Sequence, residues 1–252
     1  MVVTTPAIVL STLRYSESSK IVRLATREHG VQSAIAKGAL RPRSHFGAAL
    51  QVLSEGTAHL IILQRRELQL LTGFDVGRVP IGLTSDLARY GTATVLAEVM
   101  LKFSPPDPDP GVFDLLSSAL GVLEQAPADE AEALGLRLIW LLVSALGFAP
   151  ALQECVLDGN PVPATGALAF STHEGGALCA ACATRFTASR LPPDARAALE
   201  ALLDASRPLP QLDPPNAAAH RRLLSRFIMY HLGEGAGLPA LAFWEHQSRV
   251  PG

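Results

Sequence analysis

Hydrophobic and polar positions alternate at two different periods along this chain. From residue 6 to 76 the period is close to two, which predicts short strands. Ala7–Leu13, Lys20–Thr26, Val31–Ala36, Val52–Leu63 and Glu67–Phe74 are the five candidates. Tyr15–Ser19 is a polar break, Glu28–Gly30 a tight turn with Gly30 free to take positive φ, and Gln64–Arg66 separates the last two strands. Five short strands in so few residues suggest a small barrel or sandwich. From Leu83 onward the period is helical. Thr84–Phe103 places Leu87, Tyr90, Thr94, Leu96, Val99 and Phe103 near one face, with Thr84 or Ser85 as N-cap. Pro105–Pro110 breaks that helix. Phe113–Leu123 and Asp129–Phe148 follow, the second opening on an acidic turn and turning apolar on nearly all sides over Leu138–Gly147. Residues 151–190 show no clear period. Pro192–Leu203 and Ala217–Leu232 complete the helices, and Gly233–Gly237 reads as the C-cap of the last rather than as a dinucleotide loop.

The expectation is therefore an α+β chain of two domains. A β domain spans 1–80, and a helical domain spans 81–252 with an irregular insert at 151–190. The 252 residues suffice for this, and 48% apolar with 17% charged residues is an ordinary globular composition. The longest apolar run, Leu138–Pro150, is too short for a bilayer span, and no basic segment leading into an apolar one opens the chain. No membrane association or secretion is expected, and the chain is read as cytoplasmic. Three cysteines cannot form a disulfide framework, which agrees with a reducing compartment.

A formal charge of −2 taken as a whole argues against a polyanion partner, but the charge is unevenly divided. Residues 1–80 carry ten Lys/Arg against five Asp/Glu, a net +5; the rest carries eleven against eighteen, a net −7. A polyanion responds to local potential over about 10 Å, so the leading third is the candidate surface. Its densest part is the loop Lys37–Gly47, with Lys37, Arg41 and Arg43 broken by Gly38 and Pro42. Arg222 and Arg226, four apart on the last helix, read as a solvated face. Trp140 and Trp244 read as core or interface anchors rather than stacking platforms.

The insert has its own chemistry. Cys155 and Asp158 form a C-x2-D pair, and Cys179 and Cys182 a C-x2-C pair twenty residues further on. Two such knuckles have the layout of a tetrahedral zinc ribbon, with Zn2+ as the implied ion. Asp158 is a harder ligand than thiolate, and His173 is an alternative fourth ligand. Catalysis finds little support: there is no Walker A motif, no nucleophile elbow, and no base at a catalytic spacing from the cysteines. The chain is read as a non-enzyme without a small-molecule substrate.

Four segments, taken in order, resemble the RecO recombination-mediator family. They are Tyr15–Gly30 (YSESSKIVRLATREHG), Ala36–Gly47 (AKGALRPRSHFG), Leu141–Pro150 (LLVSALGFAP) and Phe170–Cys182 (FSTHEGGALCAAC), with Cys155 between the last two. The resemblance implies an N-terminal five-stranded OB-fold barrel, a helical domain and an inserted zinc finger of four cysteines, from which Asp158 departs. It also implies binding and annealing of single- and double-stranded DNA, partnership with RecR and single-strand-binding protein, recombinase loading on gaps, and a nucleoid-associated location. On such a barrel, strands two and three offer a shallow face for nucleic acid. That makes Lys20, Arg23 and Arg27, on or near strand two, and Lys37, Arg41 and Arg43, in the loop after strand three, the candidate DNA contacts. Side-chain alternation puts Arg23 and Arg27 on one face, with Lys20 reaching from the turn. Backbone contacts are expected to dominate, because few aromatics are available for stacking. The competing reading is an adaptor whose barrel binds protein and never DNA. A zinc enzyme built on the cysteines is weaker still.

Overall fold

Alternation at period two builds the first element, as expected. The structure, a computed structural model, describes residues 1–47, 49–63, 66–233 and 237–247. Strands β1 (Val2–Arg14), β2 (Lys20–Thr26), β3 (Gly30–Ala36), β4 (Glu55–Ile61) and β5 (Leu68–Arg78) close into a barrel in the order β1-β2-β3-β5-β4. Only the β3–β5 pair is parallel. This is the five-stranded OB-fold architecture. Val9, Val22, Leu24, Ala34, Leu60 and Leu71 alternate inward to form its core. Ile8 and Leu10 have the opposite parity and are also buried, at 0% and 4% exposure. Helix α2 (Leu87–Phe103) packs against β1, and a strand covered on both faces reads as a continuous apolar run.

Several boundaries differ from the sequence reading, each for a tertiary reason. β1 begins at Val2, because β4 pairs with Val2–Ile8 and so extends the strand past its apolar segment. Val52 and Leu53 are not in β4: Leu53 takes φ of +70°, is buried, and donates its N–H to Val9 O. β5 runs on to Arg78, which is opposite Glu55. Helix α2 is capped by Asp86, whose side chain accepts the Arg89 N–H, not by Thr84 or Ser85, which belong to the short helix α1 (Ile81–Thr84) and its end. Leu87 is exposed, whereas Thr92, Val95, Leu96, Val99 and Met100 are buried. The helix has neighbours on more than one side, so the expected single stripe does not describe it. The separator Gln64–Arg65 and residues 234–236 of the glycine-rich C-cap lie outside the described residues; Gly233 does cap the helix Pro214–Leu232.

The chain divides into two compact units, Met1–Gln125 and Ala126–Gly252. The change from strand to helix near residue 80 does not coincide with this division, since α1, α2 and α3 (Pro110–Gln125) fall in the first unit. In the second unit, α4 (Ala131–Val143) runs into a π-helical turn, Ser144–Phe148, that contains Gly147 at φ +96°. By length and composition Ala131–Phe148 could cross a membrane, but more than half of it is buried, and it carries Trp140 at the centre of the core. Residues 151–191 are not irregular. They hold a sheet ordered β7-β6-β8 from Leu168–Ser171 (β6), Gly176–Leu178 (β7) and Ser189–Leu191 (β8), with a single-turn helix α5 (Ala180–Ala183). Strands of three or four residues are too short to show a period. Helices α6 (Pro193–Leu202), α7 (Pro214–Leu232) and α8 (Pro239–His246) follow. Trp140 packs edge-on against Phe227 at 5.0 Å, and Arg221, ion-paired with Glu132, lies over Trp244 at 5.6 Å.

Candidate nucleic-acid interface and metal centre

Antiparallel pairing determines which cations meet. Across the β1–β2 hairpin Arg14 is opposite Lys20, and across β2–β3 Lys20 is opposite Ala36, the residue before Lys37. Arg14, Lys20 and Lys37 therefore lie at one end of the barrel. The loop that follows is fastened there. Leu40 N–H donates to Ser18 O at 3.0 Å, and Ala39, Phe46 and Leu50 enter the barrel core. Gly38, at φ +74°, makes the turn that starts the loop. With its apolar residues turned inward, the loop leaves Lys37, Arg41 and Arg43 exposed. His45 Nε2 lies 3.1 Å from Thr72 O and ties the loop to β5.

Arg27 is separate from this group. It lies one residue past β2, beside the opposite end of the hairpin. Its Nε and Nη2 each donate to an oxygen of Asp114 on α3, at 2.8 Å. The fork pulls the Asp114 carboxyl below its usual range and the guanidinium above its own. Arg78 is likewise engaged by Glu55. Among the described residues Lys20, Arg23, Lys37, Arg41 and Arg43 form no ion pair, and neither do Arg14 and Arg66. Sequence reasoning missed Arg14 because it placed the end of β1 at Leu13. The hairpin turn Tyr15–Ser19 was the signal, since pairing across it sets Arg14 against Lys20.

In the second unit the two knuckles come together as expected. Cys155, Asp158, Cys179 and Cys182 present ligand atoms that all lie within 4.8 Å of one another. Each knuckle is a tight turn: Gly159 N–H donates to Cys155 O at 2.9 Å, and Cys182 N–H to Cys179 Sγ at 3.4 Å. Asp158 divides its two oxygens. Oδ1 accepts the Asn160 N–H at 3.1 Å, while Oδ2 lies 3.4 Å from Cys179 Sγ and 3.3 Å from Cys182 Sγ. A tetrahedral zinc with Zn–S of about 2.3 Å and Zn–O of about 2.0 Å places its sulfur and oxygen ligands about 3.5 Å apart. The Asp158 contacts with Cys179 and Cys182 match that spacing, and all four residues are close enough together to hold such an ion. Burial, and after it Asp158, pushes the Cys182 thiol up to about 12, a cost that a dication at the centre would offset. His173 is not a ligand. Its Nδ1 lies 2.7 Å from Glu174 Oε1, and its Nε2 is bonded to Tyr230 OH. Arg222 and Arg226 are exposed on α7.

Comparison with known proteins matches the chain to two family profiles. Residues 1–78 match Recombination protein O N terminal, and residues 84–238 match Recombination protein O C terminal. The chain is similar to the DNA repair protein RecO of Anaeromyxobacter dehalogenans, 35% identical over 237 residues and 90% of each chain. It is similar to that of Rubrobacter xylanophilus, 35% identical over 243 residues and 93% of each. The RecO of Pelobacter propionicus is 36% identical over 177 residues, 70% of each.

Proposed function

Because the chain belongs to the RecO family, with a role in DNA repair and recombination, we propose that it binds DNA at the cationic end of its barrel and anneals complementary strands without catalysing a reaction. The observation that carries this reading is the meeting of Arg14, Lys20, Lys37, Arg41 and Arg43 at one end, none of them ion-paired to a described residue. Annealing requires two phosphate backbones to approach. Cations with no carboxylate of their own screen that repulsion by displacing counterions, and no bond need be made or broken. Arg23 lies further along β2 and extends the surface, whereas Arg27 contributes only if Asp114 releases it. Through this activity the protein would act with RecR and single-strand-binding protein to load a recombinase on gapped DNA, in a cytoplasmic, nucleoid-associated setting.

The metal centre in this reading is structural. Cys155, Asp158, Cys179 and Cys182 would hold one Zn2+ that pins the two knuckles and so orders the insert. The residues around it supply packing, not an acid or base: Leu178, Val156 and Val162 are its neighbours.

The test is the triple variant Lys37→Ala/Arg41→Ala/Arg43→Ala. Duplex affinity should fall at every sequence tested. The slope of log K against log salt should flatten by about two to three, near 0.9 for each phosphate no longer neutralised. Unchanged affinity and slope would remove the loop from the interface.

A further inference from the structure

The barrel register brings together an apolar band that the charge pattern conceals. Leu13 is opposite Ile21, Ile21 opposite Ile35, Ile35 opposite Leu70, Leu70 opposite Ile61, and Ile61 opposite Val2. Each has the parity of the outer surface, since the residues beside them (Val22, Ala34, Ala36, Leu60, Leu71) point into the core. The β-bulge between Val9 and Ser11 is what allows Val2 and Leu13, an odd number apart on β1, both to face outward. None of the six is buried, and Leu13 and Val2 are 66% and 76% exposed. Neighbouring strands lie about 4.8 Å apart, so six positions over five gaps make a stripe about 24 Å long. α2 packs against β1 and β2, and on those strands Ile8 and Ala25, opposite one another and outside this stripe, are buried.

Cations border the half of the stripe carried by β1, β2 and β3. Arg14, Lys20 and Lys37 follow Leu13, precede Ile21 and follow Ile35 within one or two residues. On the other side Arg23 stands two residues beyond Ile21, between Ser11 and Ser33. An apolar strip edged by three cations that form no ion pair, with Arg23 across from them, is complementary to a chain that is apolar along one edge and anionic along the other. A single DNA strand fits that description when its bases are unpaired. A duplex does not, because its base faces are stacked away and only phosphates reach the surface.

We propose that this aliphatic stripe contacts the unpaired bases of a single strand and sets the preference for single strands over duplex, while the cationic margins supply affinity common to both. The assignment rests on the proposed reading that the barrel binds DNA. It replaces the aromatic stacking that the sequence lacks here: the stripe has no Phe, Tyr or Trp, so the base contacts are dispersive and indifferent to sequence.

The experiment measures affinity of the full chain for a 20-nucleotide single strand and for the corresponding duplex. Ile21→Thr/Ile35→Thr keeps β-branched residues at both outward positions, and Val76→Thr changes an exposed valine of β5 outside the stripe. The double variant should weaken single-strand binding about tenfold and leave duplex binding within about twofold, the retained duplex affinity showing that the barrel is folded; Val76→Thr should change neither. Equal losses on both DNAs, or none, would overturn the stripe's role and leave the cationic end standing. If the unaltered protein bound neither DNA at low salt, both the reading and the inference would fall, and an apolar protein segment would be the better occupant.

Discussion

Asp158 shows how one side chain can depart from a motif and still keep its geometry. The departure from cysteine was plain in the sequence, but the outcome was not, because ligation depends on where the carboxylate points. Oδ1 is held by the Asn160 N–H, which turns Oδ2 toward the two sulfurs. Oxygen is a harder donor than thiolate and gives up Zn2+ more readily. We predict that Asp158→Cys raises Zn2+ affinity by about tenfold or more in competition with a chromophoric chelator, and that Asp158→Ala lowers it. His220 makes a second case. It is 2% exposed, and neither ring nitrogen has a partner among the described residues. Burial lowers its pKa, so the folded state keeps the ring neutral where the unfolded chain, near 6.5, takes up a proton. The unfolded state then binds more protons, and stability falls as pH drops below about 6.5. His220→Phe removes two unpaired polar atoms at similar volume. The variant should melt higher than the parent, with the gap wider at pH 5.5 than at pH 7.5.

At the scale of elements, what could be read in the sequence was whatever local pattern decides. β2 runs over Lys20–Thr26 as expected, because its alternation is clean and turns bound it on both sides. β1 and β5 outrun their apolar segments because pairing partners extend them. Helix α8 was missed, since eight residues show too little period. The basic loop was recognised as basic. That it is an anchored structure could not be seen, because its anchors Ala39, Phe46 and Leu50 are scattered among turn residues. The anchoring has a consequence. Phe46→Ala removes no charge, yet it takes a side chain that is 2% exposed from the barrel core. A large-to-small change of this kind costs about 3 kcal/mol or more. We expect weaker DNA binding from this variant, with a salt slope closer to the parent's than the triple charge variant shows, because its cations remain but are less well placed.

At the scale of the whole molecule, each unit carries its own interior. The barrel core runs from Ala7 to Phe74, and the metal centre packs with Leu178, Val156 and Val162 inside the second unit. The ten-to-five excess of bases foresaw which part would be cationic. It did not foresee that Arg27 would be engaged by Asp114, which lies outside residues 1–80, and Arg78 by Glu55, so the usable charge is more localised than the count implied. Separate cores also separate the effects of metal and of salt. Removing Zn2+ from this site would unpin Cys155–Asp158 from Cys179–Cys182, all four of which belong to the second unit. Limited proteolysis after chelation should therefore cut faster within 155–182, and readdition of Zn2+ should reverse this. Oligonucleotide affinity, which the proposed function assigns to the barrel, should change less than about twofold under the same treatment. A large loss of DNA binding on chelation would mean that the insert itself carries part of the interface, and the cationic end of the barrel would no longer account for it alone.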